Sequence, residues 1–199
     1  TNCAVTCSSS FVSISSSEVR NVLIVDSQPM FSLILRKGMK RMMPNVDVKI
    51  ADTISEAIEL IEEEKMRHTS DAVTTPSHEF DIIIIGDRLI SHNSSRRGTQ
   101  KHIALIDGPE LINKIMTDQK KTSKKDTYCR YSFVIGVSAH NCARKKFESS
   151  GADVVWEKPP PLMNDDLRRS LVDAIMEKRS NKSSCTNPYA FWRKFHILQ

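Results

Sequence analysis

The sequence of 199 residues lacks any apolar run near the roughly 18 residues that a membrane-spanning helix needs. It has five cysteines but no Cys-x-x-Cys pair, which disfavours a zinc site or a disulfide framework and is typical of reduced thiols inside a cell. None of its six histidines forms a pair at ligand spacing on a predicted helix. We therefore expect an intracellular protein, cytoplasmic or nuclear, with no membrane association and no histidine-held metal.

Aromatic residues are also missing from the basic segments. The net charge is +5, and the excess lies mainly in predicted loops and tails, for example at Arg96-Arg97 and Lys124-Lys125. No aromatic side chain alternates with these charges to stack on bases, and no recognition-helix motif stands out. The charges are interpreted as solvated loops, and nucleic-acid binding through the basic loops is the weaker alternative.

The two ends of the chain have no hydrophobic period. Residues 1–18 are rich in Ser and Thr and predict a disordered leader. Residues 181–199 form a C-terminal tail that contains apolar residues but no clear anchor. Residues 19–180 are predicted to form one domain.

Four short apolar runs and one alternating segment, residues 46–50, predict β-strands within this domain. They lie at residues 21–26, 46–50, 82–85, 133–137 and 154–156. Helical patterns alternate with them, and one begins at a capping box made by Thr53 and Glu56. Gly151 predicts a left-handed helix end. This alternation predicts an α/β fold with a doubly wound, five-stranded parallel sheet in the order 2-1-3-4-5.

Two local features complete this reading of the pattern. The first helix, which starts near Pro29, is predicted to bury Phe31, Ile34, Leu35 and Met42. Residues 87–107 are mostly polar, show no period and predict one long loop, either functional or disordered.

Several predicted strands end on a polar or charged residue. Asp26 ends the first, Ser138 the fourth, and Lys158 follows the fifth. Because the carboxyl ends of parallel strands share one edge of the sheet, we expect these side chains to meet there. Structural roles are also open to them: Asp26 or Ser138 as the cap of the next helix, and Lys158 in an ion pair with Asp26 or Asp87.

Five segments, in order, resemble the motifs of a response-regulator receiver domain across about residues 21–179. They are Val22 to Pro29, Phe80 to Asp87, Asp107 to Ile112, Val134 to Ala139 and Gly151 to Pro159. The resemblance implies the flavodoxin-like receiver architecture and a signalling module of a phosphorelay-type, two-component pathway.

The resemblance also implies roles for single residues. Asp26 takes the place of the first acid of the metal pair and is the candidate Mg²⁺ ligand, while Ser27 occupies the place of the second acid. Ser138 and Lys158 match the switch hydroxyl and the lysine, which bind phosphoryl oxygens.

Gly86 falls at the position expected for the phosphoacceptor aspartate, which leaves Asp87 as the candidate phosphoacceptor. A shift of one residue along a strand turns a side chain to the opposite face, so Asp87 is predicted to point away from the other site residues. The position of the family's aromatic switch is Val155, which cannot swing as a ring does.

Gly86 and Ser27 remove two of the carboxylates that the family's chemistry needs. The sequence therefore predicts a degenerate receiver, or pseudo-receiver, that acts by protein–protein interaction and is not an enzyme. The alternative is an active receiver that uses Asp87 with Mg²⁺, whose only activity is self-phosphorylation of that aspartate.

The resemblance implies partners from the same pathway: a histidine kinase, a phosphotransfer protein or a fused effector domain. It places the interaction surface on the fourth helix, residues 139–150, and on the last strand and helix. Arg144, Lys145 and Lys146 would make the first of these surfaces basic.

Overall fold

The structure, a computed structural model, describes residues 19–69, 80–92, 103–121 and 132–180. The predicted leader and tail lie outside these ranges. The strands are β1 (Asn21–Val25), β2 (Asp47–Ala51), β3 (Ile82–Gly86), β4 (Arg88–His92), β5 (Ile103–Asp107), β6 (Phe133–Ser138) and β7 (Val154–Glu157). The helices are α1 (Pro29–Met42), α2 (Ile54–Thr69), α3 (Gly108–Lys121), α4 (Asn141–Ser150) and α5 (Asp165–Ser180).

The centre of the fold is a parallel sheet of five strands in the order β2-β1-β3-β6-β7. This is the order 2-1-3-4-5 of the five predicted strands, so the predicted fold class is confirmed. All five residues of β3 and all six of β6 are buried. Strands that are covered on both faces need no polar alternation, which explains the run of four isoleucines in β3.

Alternate side chains of the sheet feed two hydrophobic cores. In β1, Val22 and Ile24 pack in the core that α1 and α5 cover, whereas Leu23 and Val25 pack in the core that α2, α3 and α4 cover. This period of two is what the pleat of a strand dictates. Helices therefore cover both faces of the parallel sheet.

A β-hairpin interrupts the alternation of strand and helix. β4 and β5 pair antiparallel, with Arg88 opposite Asp107. The prediction of one uninterrupted loop over residues 87–107 is therefore wrong at both of its ends, while residues 93–102 lie outside the described ranges. Leu89 explains why β4 packs on the domain, because its side chain is fully buried in the core that α2 and α3 cover.

The first helix buries Leu35 and Met42 as predicted, and Phe31 is partly buried against the same core, but the prediction that Ile34 is buried is wrong. Its buried residues are Ser32, Leu35, Met39 and Met42, whereas Ile34 is exposed over 52% of its surface. Gly38 faces the connection between β7 and α5, and a Cβ built there would lie 2.6 Å from Met163 Cγ. Glycine at this position lets that connection pack directly against α1.

The predicted helix ends are largely present. Thr53 Oγ1 accepts a hydrogen bond from Glu56 N at 3.2 Å, while the Glu56 carboxylate accepts one from Asp52 N at 2.9 Å. Gly151 ends α4 with φ of 100°, a left-handed conformation that glycine adopts without strain. Within the described ranges, no helix is both long and apolar enough to cross a membrane.

A buried carboxylate fastens α5 to the amino edge of the sheet. Asp81, just before β3, accepts hydrogen bonds from Arg20 N at 2.6 Å and Asn21 N at 3.0 Å. Its other oxygen pairs with the guanidinium of Arg179, in the last turn of α5. This clamp lies at the edge opposite the polar strand ends, so the end of α5 is anchored independently of them.

Candidate functional site

Four polar side chains meet where β1, β3, β6 and β7 end. They belong to Asp26, Asp87, Ser138 and Lys158, and we call the space that they line the crevice. The topology explains the convergence, because all four strands are parallel neighbours whose carboxyl ends share one edge. The predicted grouping of Asp26, Ser138 and Lys158 is therefore present in the structure.

Asp26 fills two structural roles at once. Its Oδ1 accepts a hydrogen bond from Gln28 N at 2.8 Å, which satisfies a backbone donor at the start of α1. Its Oδ2 lies 2.8 Å from Lys158 Nζ, and only 2% of the Asp26 side chain is exposed. Both oxygens of this candidate metal ligand are thus engaged by groups of the protein itself.

The ammonium of Lys158 lies among three partners. Besides Asp26, it has Asp87 Oδ1 at 3.9 Å and the Phe31 ring centroid at 4.3 Å. The side chain of Lys158 is 14% exposed. Since a charge this far from water is stable only when it is paired, the lysine and the two carboxylates form one interdependent cluster.

Asp87 points into the crevice, so the prediction that it faces away is wrong. Its Oδ2 accepts a hydrogen bond from the Ser138 hydroxyl at 2.8 Å. The physical reason is that β3 ends at Gly86 and the chain bends at Asp87. The alternation of side chains holds only within the pleat, and a residue beyond its end is free to aim elsewhere.

Ser138 does not cap α4, contrary to the structural role predicted for it. The residue that precedes the helix is His140, and α4 starts at Asn141. The Ser138 hydroxyl oxygen instead accepts a hydrogen bond from His140 N at 2.9 Å, a local turn of the kind that Ser favours. The hydroxyl therefore links Asp87 to the backbone that leads into α4.

Gly86 has no room for a side chain. The register pairs Val25 with Ile85, so Gly86 stands one step further on, beside Asp26. A Cβ built on Gly86 would overlap the Asp26 carboxylate, and the Gly86 carbonyl closely approaches Gly108. The space that an aspartate at position 86 would occupy is filled by Asp26.

The donor set does not fit a magnesium ion. Mg²⁺ requires near-octahedral oxygen ligands, usually one or two carboxylates with several waters. Ser27, at the place of the second acid, donates its hydroxyl hydrogen bond to Arg88 O at 2.9 Å. In the described ranges no group of three or more His, Cys, Asp or Glu residues could hold a metal ion, and the ammonium of Lys158 already offsets one of the two negative charges of the crevice.

The basic surface predicted on α4 is partly neutralised. Arg144 Nε lies 3.4 Å from Glu148 Oε1, and Lys146 Nζ lies 3.3 Å from Asp107 Oδ2. Beneath α4, the Phe147 ring covers Gly136 so closely that a Cβ there would lie 2.5 Å from the ring. Arg96-Arg97 and Lys124-Lys125, two of the basic segments behind the nucleic-acid alternative, lie outside the described residues.

Sequence comparison identifies no relative: no protein-family model and no curated protein matches the chain. Solved structures do match. A response regulator receiver domain protein from Clostridium thermocellum has a TM-score of 0.54 and 13% identity over 81% of this chain and 98% of its own. The signal receiver domain of an HD domain-containing protein from Pseudomonas fluorescens Pf-5 has a TM-score of 0.50 and 17% identity, over 92% of this chain and 98% of its own.

A mutant of the receiver domain of the histidine kinase CKI1 from Arabidopsis thaliana also matches, with a TM-score of 0.50 and 20% identity over 81% of this chain and 91% of its own. These structures superpose on most of this chain despite the low identity. The chain has the fold of a response-regulator receiver domain.

Proposed function

We propose that residues 19–180 form a signalling module that binds a protein partner and whose crevice is held in one state by its own side chains. It is thus a pseudo-receiver of an intracellular phosphorelay-type pathway. The observation that carries the proposal is the position of Asp87, which accepts the Ser138 hydrogen bond and lies near Lys158. By the family resemblance, these are the two groups that bind a phosphoryl group, so a carboxylate already engages both.

The ion pairs of the crevice support a fixed state. Drawing Lys158 away from Asp26 would leave a carboxylate with 2% side-chain exposure uncompensated, which costs about 3–5 kcal/mol. A divalent cation or a phosphoryl group that recruited Lys158 would have to offset that cost. In the fixed state the ammonium of Lys158, rather than an external cation, is the positive charge that compensates Asp26.

The position of Asp26 adds a steric argument. An acceptor aspartate at position 86 would have to share its space with the Asp26 carboxylate. Two close carboxylates also repel each other unless a cation separates them. Glycine at position 86 is therefore compatible with the ion-paired cluster of Lys158, Asp26 and Asp87. In this proposal Asp26 has a structural role.

Backbone amide NMR with beryllofluoride and Mg²⁺ tests the fixed state. We expect no saturable shift of amides 138–150 when both reagents are added to the wild-type protein. In contrast, Asp87→Ala should shift these amides without any reagent, since Ser138 loses its partner. Asp173→Ala, which changes an exposed carboxylate of α5, is the matched control and should leave them unchanged. Saturable shifts in the wild type would contradict the proposal.

A second candidate function is favoured by the orientation of Asp87. A carboxylate that faces the crevice beside Ser138 and Lys158 is placed to accept a phosphoryl group, which would make the chain an active receiver. Mg²⁺ titration followed by calorimetry separates the two functions. Tight binding that Asp26→Ala abolishes would favour the phosphoacceptor, whereas the fixed state predicts no binding at millimolar Mg²⁺.

A further inference from the structure

The hairpin of β4 and β5 begins and ends at the crevice. β4 starts at Arg88, directly after Asp87, and β5 ends at Asp107, directly before Gly108, the first residue of α3. The two ends are joined, because Gly108 N donates a hydrogen bond to Asp87 O at 3.0 Å and Arg88 stands opposite Asp107. We call these four residues the hairpin base. The backbone of Asp87 is thus part of the hairpin, while its side chain is part of the crevice.

Further contacts fasten the hairpin base to the domain. The Ser27 hydroxyl donates a hydrogen bond to Arg88 O at 2.9 Å. Leu89, the second residue of β4, is fully buried in the core that α2 and α3 cover. Lys146 Nζ of α4 lies 3.3 Å from Asp107 Oδ2, but these side chains are 65% and 60% exposed, so their ion pair contributes little. Leu89 and Ser27 are therefore the contacts that hold the base in place.

The Asp87 carboxylate is the less compensated of the two in the crevice. Lys158 Nζ lies 2.8 Å from Asp26 Oδ2 but 3.9 Å from Asp87 Oδ1, so its single charge compensates mainly Asp26. The hydrogen bond that Asp87 receives at its other oxygen comes from the neutral hydroxyl of Ser138. Because only 13% of the Asp87 side chain is exposed, its charge has lost most of its water. Such a carboxylate remains in the crevice only if the backbone that carries it is held there.

We propose that the hairpin is a strap that keeps the crevice in its fixed state. While Leu89 and Ser27 hold the hairpin base, the Asp87 carboxylate stays against Ser138. When the base is drawn away from the domain, Asp87 turns out to solvent and the Ser138 hydroxyl is released. The inference rests on the proposed function, because it names the element that maintains the fixed state of that module and can end it.

The strap also connects the hairpin with α4. The Ser138 hydroxyl oxygen accepts a hydrogen bond from His140 N, and His140 is the residue before α4. A hydroxyl that has lost Asp87 is free to rotate, which changes the backbone contact at the entry to this helix. The hairpin is then the site at which a signal enters, and α4 is the separate site at which it is read. Removing the anchors of the hairpin should therefore alter the start of α4 without any change in the crevice residues.

Backbone amide NMR of residues 138–150 tests the strap on the full chain, with no phosphoryl mimic present. Asp87→Ala provides the reference positions of the released crevice, because Ser138 has lost its carboxylate in that variant. The strap variants are Leu89→Ala, which removes the buried anchor, and Ser27→Ala, which removes the hydrogen bond to Arg88 O.

Each strap variant has a matched control. Ile61→Ala removes a buried side chain of α2 from the same core as Leu89. Ser170→Ala removes a hydroxyl that donates to a backbone carbonyl, that of Asp166 in α5, as Ser27 does at the hairpin. Circular dichroism shows which variants are folded. If Leu89→Ala does not fold, Ser27→Ala decides the test, since it removes a single hydroxyl.

We expect the amides of both strap variants to move along the line that joins their wild-type positions to those of Asp87→Ala. The shift should be larger in Leu89→Ala than in Ser27→Ala, because burial of Leu89 is the stronger anchor. Adding Asp87→Ala to either strap variant should give the positions of Asp87→Ala alone, since nothing is left to release. The two controls should keep the wild-type positions.

The strap is refuted if the folded strap variants keep the wild-type positions, if the controls move as far, or if the effects of Leu89→Ala and Asp87→Ala simply add. Beryllofluoride and Mg²⁺ added to the wild type separate this inference from the proposed function. Saturable shifts in the wild type, together with strap variants that move as expected, would refute the fixed state and keep the link between hairpin and crevice. Unmoved strap variants beside a wild type that does not respond would refute the strap alone.

Discussion

The Ser138 hydroxyl donates a hydrogen bond to Asp87 Oδ2 at 2.8 Å, across the ends of two neighbouring strands. The same hydroxyl oxygen accepts a hydrogen bond from His140 N, at the entry to α4. One side chain thus joins β3, β6 and the start of α4. The hydrogen bond occupies the Ser138 hydroxyl with a carboxylate of its own chain, and the fixed state of the crevice depends on it.

Replacing Ser138 by Ala should lower the free energy of unfolding by about 1.5–3 kcal/mol. Asp87 loses a charged hydrogen bond, and the His140 N–H loses its acceptor. Urea denaturation measures the change. Ser149→Ala, which removes an exposed hydroxyl of α4, should change stability by less than about 0.5 kcal/mol. Equal effects of the two substitutions would show that the Ser138 hydroxyl is not bound in solution.

Replacing Lys158 by Met should destabilise the fold by about 3 kcal/mol, because the buried Asp26 carboxylate loses its counter-charge. Adding Asp26→Asn to that variant should restore much of the loss, since a neutral amide can still accept the Gln28 N–H. Chemical denaturation of the two single variants and the double variant gives the coupling free energy. Additive effects would mean that Lys158 and Asp26 do not form a pair.

Replacing Gly86 by Ala should destabilise by about 1–3 kcal/mol, because the new Cβ overlaps the Asp26 carboxylate. In an Asp26→Ala background the same change should cost much less, as the obstructing carboxylate is gone. Thermal or urea unfolding of this cycle of variants measures the difference. An equal cost in both backgrounds would place the strain elsewhere, for example at the close approach of Gly108.

Replacing Asp81 by Ala should cost about 3 kcal/mol or more. Arg20 N and Asn21 N lose their hydrogen bonds to Asp81, and Arg179, whose side chain is 18% exposed, loses its ion pair with Asp81. Asp166→Ala is the control, since its pair with Arg169 is largely exposed and is worth less than about 1 kcal/mol. Amide exchange at the end of α5 should accelerate in Asp81→Ala and not in the control.

The hydrophobic pattern was sufficient to predict the parallel sheet. Runs such as residues 82–85 have no polar alternation, which only a strand covered on both faces tolerates, and the alternation with helical segments fixes the order of strands. The hairpin of β4 and β5 was missed although Ile103 to Ile106 form an apolar run as long as that of β3. The ten polar residues 93–102 between its strands favoured the interpretation of the whole segment as a loop.

The convergence of Asp26, Ser138 and Lys158 followed from topology, because each residue stands at the end of a parallel strand. Topology did not predict the direction of the Asp87 side chain. That direction depends on the residue at which β3 ends, and a difference of one residue turns a side chain to the other face of the sheet. The burial of Ile34 was wrongly predicted for a similar reason. It lies next to the buried Leu35, and two adjacent apolar residues do not reveal which of them faces the core.

Mass spectrometry of the intact protein after incubation with Mg²⁺ and acetyl phosphate tests the fixed crevice most directly. The account predicts no covalent mass increase, because Asp87 is bound to Ser138, Lys158 is paired with Asp26, and the donor set does not fit a magnesium ion. A stable increase of one phosphoryl group that disappears in Asp87→Asn would contradict it and identify Asp87 as a working phosphoacceptor.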